Sequence, residues 1–173
     1  MTKLEGYLKQ FVVQFSGLKL GVHEFEFEIV DLFFEQFVIE DVTGGDIHVK
    51  FTLDKKENMM ELNFELTGVL KTTCDRCLDP MEIDLVTDNQ IMVKFSEATS
   101  EANDELIVLG PEAYKIDIAP IIYEFITVQF PLRKVHDEED CNQDVINMLY
   151  TEEDKTEEEN EGSNMWDALK KLK

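Results

Sequence analysis

Positive charge is scarce in this chain. Lys and Arg number 16 against 38 Asp and Glu, a net charge of −22 over 173 residues. Phosphate binding rests on Lys and Arg, so bare nucleic acid repels such a chain at long range. The same field favours basic partners, and acidity by itself also keeps a protein soluble. Cysteine is scarcer still. There are three, an odd number that argues against a secreted disulfide scaffold and for reduced thiols in the cytoplasm. No apolar run approaches the ~18 residues of a membrane span. Lys3 is followed by no continuous apolar stretch, so no secretory leader is expected. Internal repeats are absent. So is a glycine-rich phosphate loop, which removes the usual basis for nucleotide hydrolysis.

What is there supports a folded domain over residues 1–150. Hydrophobic residues make up 43% of the chain and include twelve Phe, enough for one real core. Tyr7 to Phe15 reads as a first strand. Val22 to Val30 alternates, with Phe25, Phe27 and Ile29 on one face and Glu24, Glu26 and Glu28 on the other. His23 falls in the apolar phase, as a core-edge side chain rather than a ligand. Asp31 to Phe37 suits a short helical turn, and Gly44-Gly45 a turn. Ile47, Val49, Phe51 and Leu53 alternate with solvent-facing His48, Lys50 and Thr52, and Lys55 to Asn58 forms a hairpin turn. The next strand points Leu62, Phe64 and Leu66 inward and runs to Thr73. Gly68 interrupts that face, which predicts a bulge or a close backbone approach.

After Pro80 a new strand begins with Met81, Ile83 and Leu85 inward, and Ile91, Val93 and Phe95 form a further alternating stretch. Ser96 to Asn103 reads as a polar loop before an edge strand, Leu106 to Leu109. Asp117 reads as an N-cap with Pro120 in the first helical turn. Ile118, Ile121, Ile122, Phe125 and Val128 or Gln129 give that helix one apolar face, and Pro131 closes it. The expected fold is α+β: an antiparallel β-rich sheet or partial barrel, one covering helix and a flexible C-terminal tail.

The tail has two parts. Residues 151–163 are mostly acidic and read as a flexible linker. Residues 164–173 read as a short amphipathic helix. Asn164 caps it, Met165, Leu169 and Leu172 share a stripe, and Trp166 lies beside them. Lys170, Lys171 and Lys173 suit its C-terminal end. Such a helix is too short to be stable alone, so it must dock on its own domain or on a partner.

All three cysteines lie in two short segments. Cys74-Asp75-Arg76-Cys77-Leu78 sits at the tip of the expected hairpin, and His136-x4-Cys141 lies past the helix. Three sulfurs and one nitrogen make a donor set of the kind zinc takes tetrahedrally. Arg76 would offset the charge by which three thiolates exceed one divalent ion. The alternative is two surface-turn cysteines, an unrelated buried cysteine and an exposed histidine. A redox Cys-x-x-Cys needs its first cysteine at a helix N-terminus, but here a strand follows. A Cys/His hydrolase pair is conceivable on paper, yet nothing marks an oxyanion hole or an orienting residue. No enzymatic activity is expected.

The segment Gly68 to Leu78, followed by a strand, resembles the signature of the YceD family. So do a helix running into a proline (Ile121 to Pro131), the stretch Val135 to Cys141, and the ending Asn164 to Lys173. The resemblance spans about Gly68 to Lys173. It implies a bacterial or plastid factor that supports accumulation of 23S ribosomal RNA and assembly of the large ribosomal subunit. The expected contacts are Arg76 with the hairpin tip, and Trp166 with Lys170, Lys171 and Lys173. The partner would be a large-subunit precursor, ribosomal RNA or a basic ribosomal protein, met by a cytoplasmic monomer. The alternative is an acidic module that holds a basic ribosomal protein without touching RNA.

Overall fold

Period-two alternation of apolar and polar residues builds the largest element here, a five-stranded sheet. The computed structural model describes residues 3–96 and 106–149, which fall into two compact units. The first comprises the described residues up to Thr73 together with Pro80–Leu132. The second comprises Cys74–Asp79 together with the described residues from Arg133 onward. The polar loop beyond Ser96, the acidic linker and the lysine-bearing tail, with Trp166, Lys170, Lys171 and Lys173, lie outside the described residues.

The first unit opens with helix α1 (Lys3–Leu8), a 3-10 turn (Lys9–Phe11) and a two-residue strand, β1 (Val12–Val13). The strand expected over Tyr7 to Phe15 is thus mostly helical. Tyr7 and Phe11 stand four residues apart, the spacing of one helix face, and their rings meet edge to face at 5.6 Å. Next come β2 (Gly21–Ile29), α2 (Asp31–Gln36), β3 (Gly44–Lys55) and β4 (Met59–Thr73). Then follow β5 (Pro80–Phe95), β6 (Leu106–Leu109), β7 (Ile116–Asp117) and α3 (Ala119–Gln129). The sheet order is β2-β3-β4-β5-β6, antiparallel except for the parallel β5–β6 pair. It stays open and does not close into a barrel; β1 and β7 form a separate pair.

Two local readings change, and the alternatives at Gly68 are resolved. Gly44-Gly45 opens β3 instead of forming a turn, and the Gly45 N–H donates to the Asp31 carboxylate at 3.1 Å. The stretches on either side of Val86 are one strand of 16 residues. Thr87 and Asn89 hide this continuity. They fall in the inward phase between Leu85 and Ile91, and the Asn89 amide donates to the Thr87 hydroxyl at 2.9 Å. Gly68 sits in unbroken register opposite Ile47, so it marks a close backbone approach and no bulge.

The inner sheet face carries Ile47, Val49, Phe51, Leu53, Leu62 and Leu66, all fully buried, with Phe64 almost so. Phe11, Phe33, Ile122 and Ile126 belong to the same core. On α3, Phe125 packs edge to face on Phe64 at 5.3 Å. The N-cap of α3 is Ile118 and not Asp117, which stands one residue earlier and accepts the Ala119 N–H at 3.0 Å. Val128, a candidate for the buried face, is 85% exposed, because the last turn of α3 overhangs a groove beside β5. Among the described residues no helix is long and apolar enough to cross a membrane.

Candidate metal centre

The second unit is assembled by a loop that folds back on itself. Thr73 pairs with Pro80 at the end of the β4–β5 hairpin, leaving Cys74 to Asp79 as its tip. The Cys74 N–H donates to the Asp79 carbonyl and the Leu78 N–H to the Cys74 carbonyl, both at 2.9 Å. This tight closure puts Leu78 at φ 63°, left-handed backbone that glycine adopts more readily. The Leu78 side chain is 73% exposed, so it brings no core packing to offset the strain.

The returning chain is fastened at Lys134. The Asp75 N–H donates to the Lys134 carbonyl at 2.6 Å, and the Lys134 N–H donates to the Asp75 carboxylate at 2.7 Å. The Lys134 ammonium also reaches that carboxylate, at 3.1 Å, while the side chain is only 6% exposed. The Lys134 amide, then its ammonium, holds the Asp75 carboxyl below the usual carboxylate range. A buried charge losing its partner is more damaging than a buried pair replaced by apolar groups. Asp75→Ala strands the buried Lys134 ammonium, whereas Lys134→Met leaves a carboxylate that is 39% exposed and keeps its backbone amide, so Asp75→Ala should destabilise this unit more. Urea unfolding of the two variants checks the order; the reverse order would remove the pair as the fastener.

Past Lys134 the chain delivers His136 and Cys141, and residues 143–149 are helical, an element not anticipated. Asn142 caps that helix through its side chain, which accepts the Asp144 N–H at 3.2 Å. The donor atoms of Cys74, Cys77, His136 and Cys141 all lie within 4.8 Å of one another. Cys74, Cys77 and Cys141 are buried, at 0%, 3% and 4% exposure. The Sγ atoms of Cys74 and Cys141 are 3.9 Å apart, and Cys77 Sγ is 3.4 Å from His136 Nδ1. A disulfide needs about 2.05 Å between sulfurs. Metal–sulfur bonds near 2.3 Å and metal–nitrogen bonds near 2.05 Å give tetrahedral edges of about 3.8 Å and 3.6 Å. These two separations are near such edges, and all four residues lie close enough together to form a metal site.

The electrostatics favour the ionised thiolate at Cys74 and Cys77, and the protonated form at His136 and Cys141. Burial alone would push the Cys74 thiol up. The backbone amides of Cys77, His136 and Arg76, with the Cys77 thiol, together bring it down to about 6. The Arg76 amide lies 3.4 Å from that sulfur. Cys77 is lowered by the Asn142 amide first, and by Asp79 and His136 against the effect of burial. His136 is raised, chiefly by Cys77, and Cys141 is raised, chiefly by burial. Amides from both arms thus face the sulfurs, as the outer shell of a metal–thiolate site requires. Arg76 bonds neither Asp75 nor Asp79. Its guanidinium donates to the His136 carbonyl at 2.8 Å, and its Nε is buried without a partner. The spacing of the cysteines pointed to the donors. Nothing in the sequence pointed to Lys134, which looks like any surface lysine until its partner is placed.

A family model described as large ribosomal RNA subunit accumulation protein YceD matches residues 62–173. No curated protein and no solved structure matches the chain. The matched span runs from near the start of β4 through both arms of the donor cluster, and it covers well over half of the sequence. The chain belongs to the YceD family.

Proposed function

We propose that this protein is a non-enzymatic ribosome biogenesis factor of the bacterial cytoplasm. In this reading it supports accumulation of 23S ribosomal RNA and assembly of the large subunit. The observation that carries the reading is the family match over residues 62–173. The donor cluster agrees with a structural part in a binding protein. Zinc bound by Cys74, Cys77, His136 and Cys141 would have all four positions filled by protein, with none left for a substrate or a reactive water. Bound there, zinc supplies cohesion between the hairpin tip and the returning segment. Arg76 and the tip are one proposed contact; Trp166, Lys170, Lys171 and Lys173 are the other.

A second reading rests on the solvent face of the sheet. Glu24, Glu26, Glu61, Glu65, Asp84 and Asp88 lie in its outward phase, and few lysines stand among them. Such a face suits an acidic module that holds a basic ribosomal protein without direct RNA contact. Ribosome profiles of cells lacking the protein test the main proposal. A diminished large-subunit peak and less 23S RNA are expected. Normal amounts of both would overturn it.

A further inference from the structure

β5 is 16 residues long, yet β6 pairs with its outer edge only from Met92 to Phe95. Among the described residues, neither strand nor loop backbone bonds to that edge from Pro80 to Ile91. Alongside it runs a groove of about 790 Å³ between β5 and the last turns of α3. Its lining is mixed. Phe125, Val128 and Met92 are apolar, and Thr87, Asn89 and Glu124 are polar. Val128 is 85% exposed and Met92 37%, so both present carbon to solvent.

An unpaired strand edge is a row of free N–H and C=O groups, a template for another strand. Charge decides which strand. Glu82, Asp84 and Asp88 are exposed on one face of β5, with exposed Val86 between the last two, in a chain with a net charge of −22. Two copies meeting edge to edge would bring these carboxylates together, and like charges across strands repel. The same row attracts Lys and Arg. Side chains of an added strand alternate between the two faces of the sheet. One set would reach the carboxylates, on the face that Met92 shares; the other would enter the groove against Phe125 and Val128.

We infer that β5 and α3 form a docking slot for an extended, basic polypeptide segment in which Lys or Arg alternates with aliphatic residues, added to the sheet as a sixth strand. The inference goes beyond the family-based reading and uses no residue of the metal centre, so either can fail alone. The test adds a ten-residue Lys-Val alternating peptide, or its Glu-Val counterpart, to the full chain and follows amide hydrogen exchange by NMR. The Lys-Val peptide should slow exchange at alternate amides between Met81 and Ile91, and less so as salt rises. Val128→Lys, and separately the pair Asp84→Lys with Asp88→Lys, should each weaken binding at least tenfold. Equal binding of the Glu-Val peptide, protection elsewhere or unaffected variants would overturn the slot. So would a dimer in sedimentation whose β5 edge is already protected. A short RNA that shifts these same amides would assign the surface to nucleic acid and sink the proposal as well.

Discussion

Protein purified without chelator should carry about one equivalent of zinc, and stripping the metal should loosen the second unit while the sheet persists. The donor atoms sit within 4.8 Å of one another, and all three cysteines are buried. Without an ion, thiolates that the backbone amides help to ionise repel each other. Structural zinc in small domains contributes folding energy outright, and chelators unfold such domains. Hydrogen exchange should accelerate at Cys74–Asp79 and over 133–149 after chelation, with β2 to β4 still protected. Cys74→Ser should hold less than about a tenth of an equivalent, because a hydroxyl does not ionise as a thiol does. Wild-type protein with no zinc, or unchanged exchange after chelation, would falsify the centre.

Gly68→Ala should lower stability by about 2–3 kcal/mol, a large response to one methyl group. A Cβ at Gly68 would lie 2.6 Å from the Ile47 Cα and closer still to the Asp46 carbonyl oxygen. Both obstacles are backbone, and neither can swing away. β3 and β4 are paired in register from Gly44 opposite Lys71 to Lys55 opposite Met60, so a local shift strains the ladder on both sides. The melting temperature should fall by roughly 5–10 °C for a chain of this size. Gly17→Ala is the control, since a Cβ there meets nothing within 4 Å. If both variants melt within a degree of wild type, the close approach does not constrain the sheet.

Strands were legible wherever one face is wet and the other dry. Glu24, Glu26 and Glu28 against Phe25, Phe27 and Ile29 admit one reading, and β2 has it. Legibility failed where a second period fits the same letters. Tyr7 and Phe11 serve a helix as well as a strand, and only packing against Phe27 and Phe33 decides between them. It failed again at Thr87 and Asn89, where polar side chains line a groove and so break the inward pattern of a continuous strand. Of the donor set, the Cys-x-x-Cys pair was plain. His136 and Cys141 gained meaning from the Asp75–Lys134 fastening, a contact 59 residues apart in sequence that no local pattern records.

That separation also has a temporal side. Cys74 and Cys141 are 67 residues apart. A ribosome adding about 5–20 residues per second needs roughly 3–13 s to make the later donors after the earlier ones. For that interval the nascent chain carries Cys74 and Cys77 as a dithiol with its partners not yet synthesised. Oxidation during elongation would lock the hairpin tip before the returning segment exists to claim it. Correct maturation of this protein is thereby tied to the reducing power of the compartment that makes it.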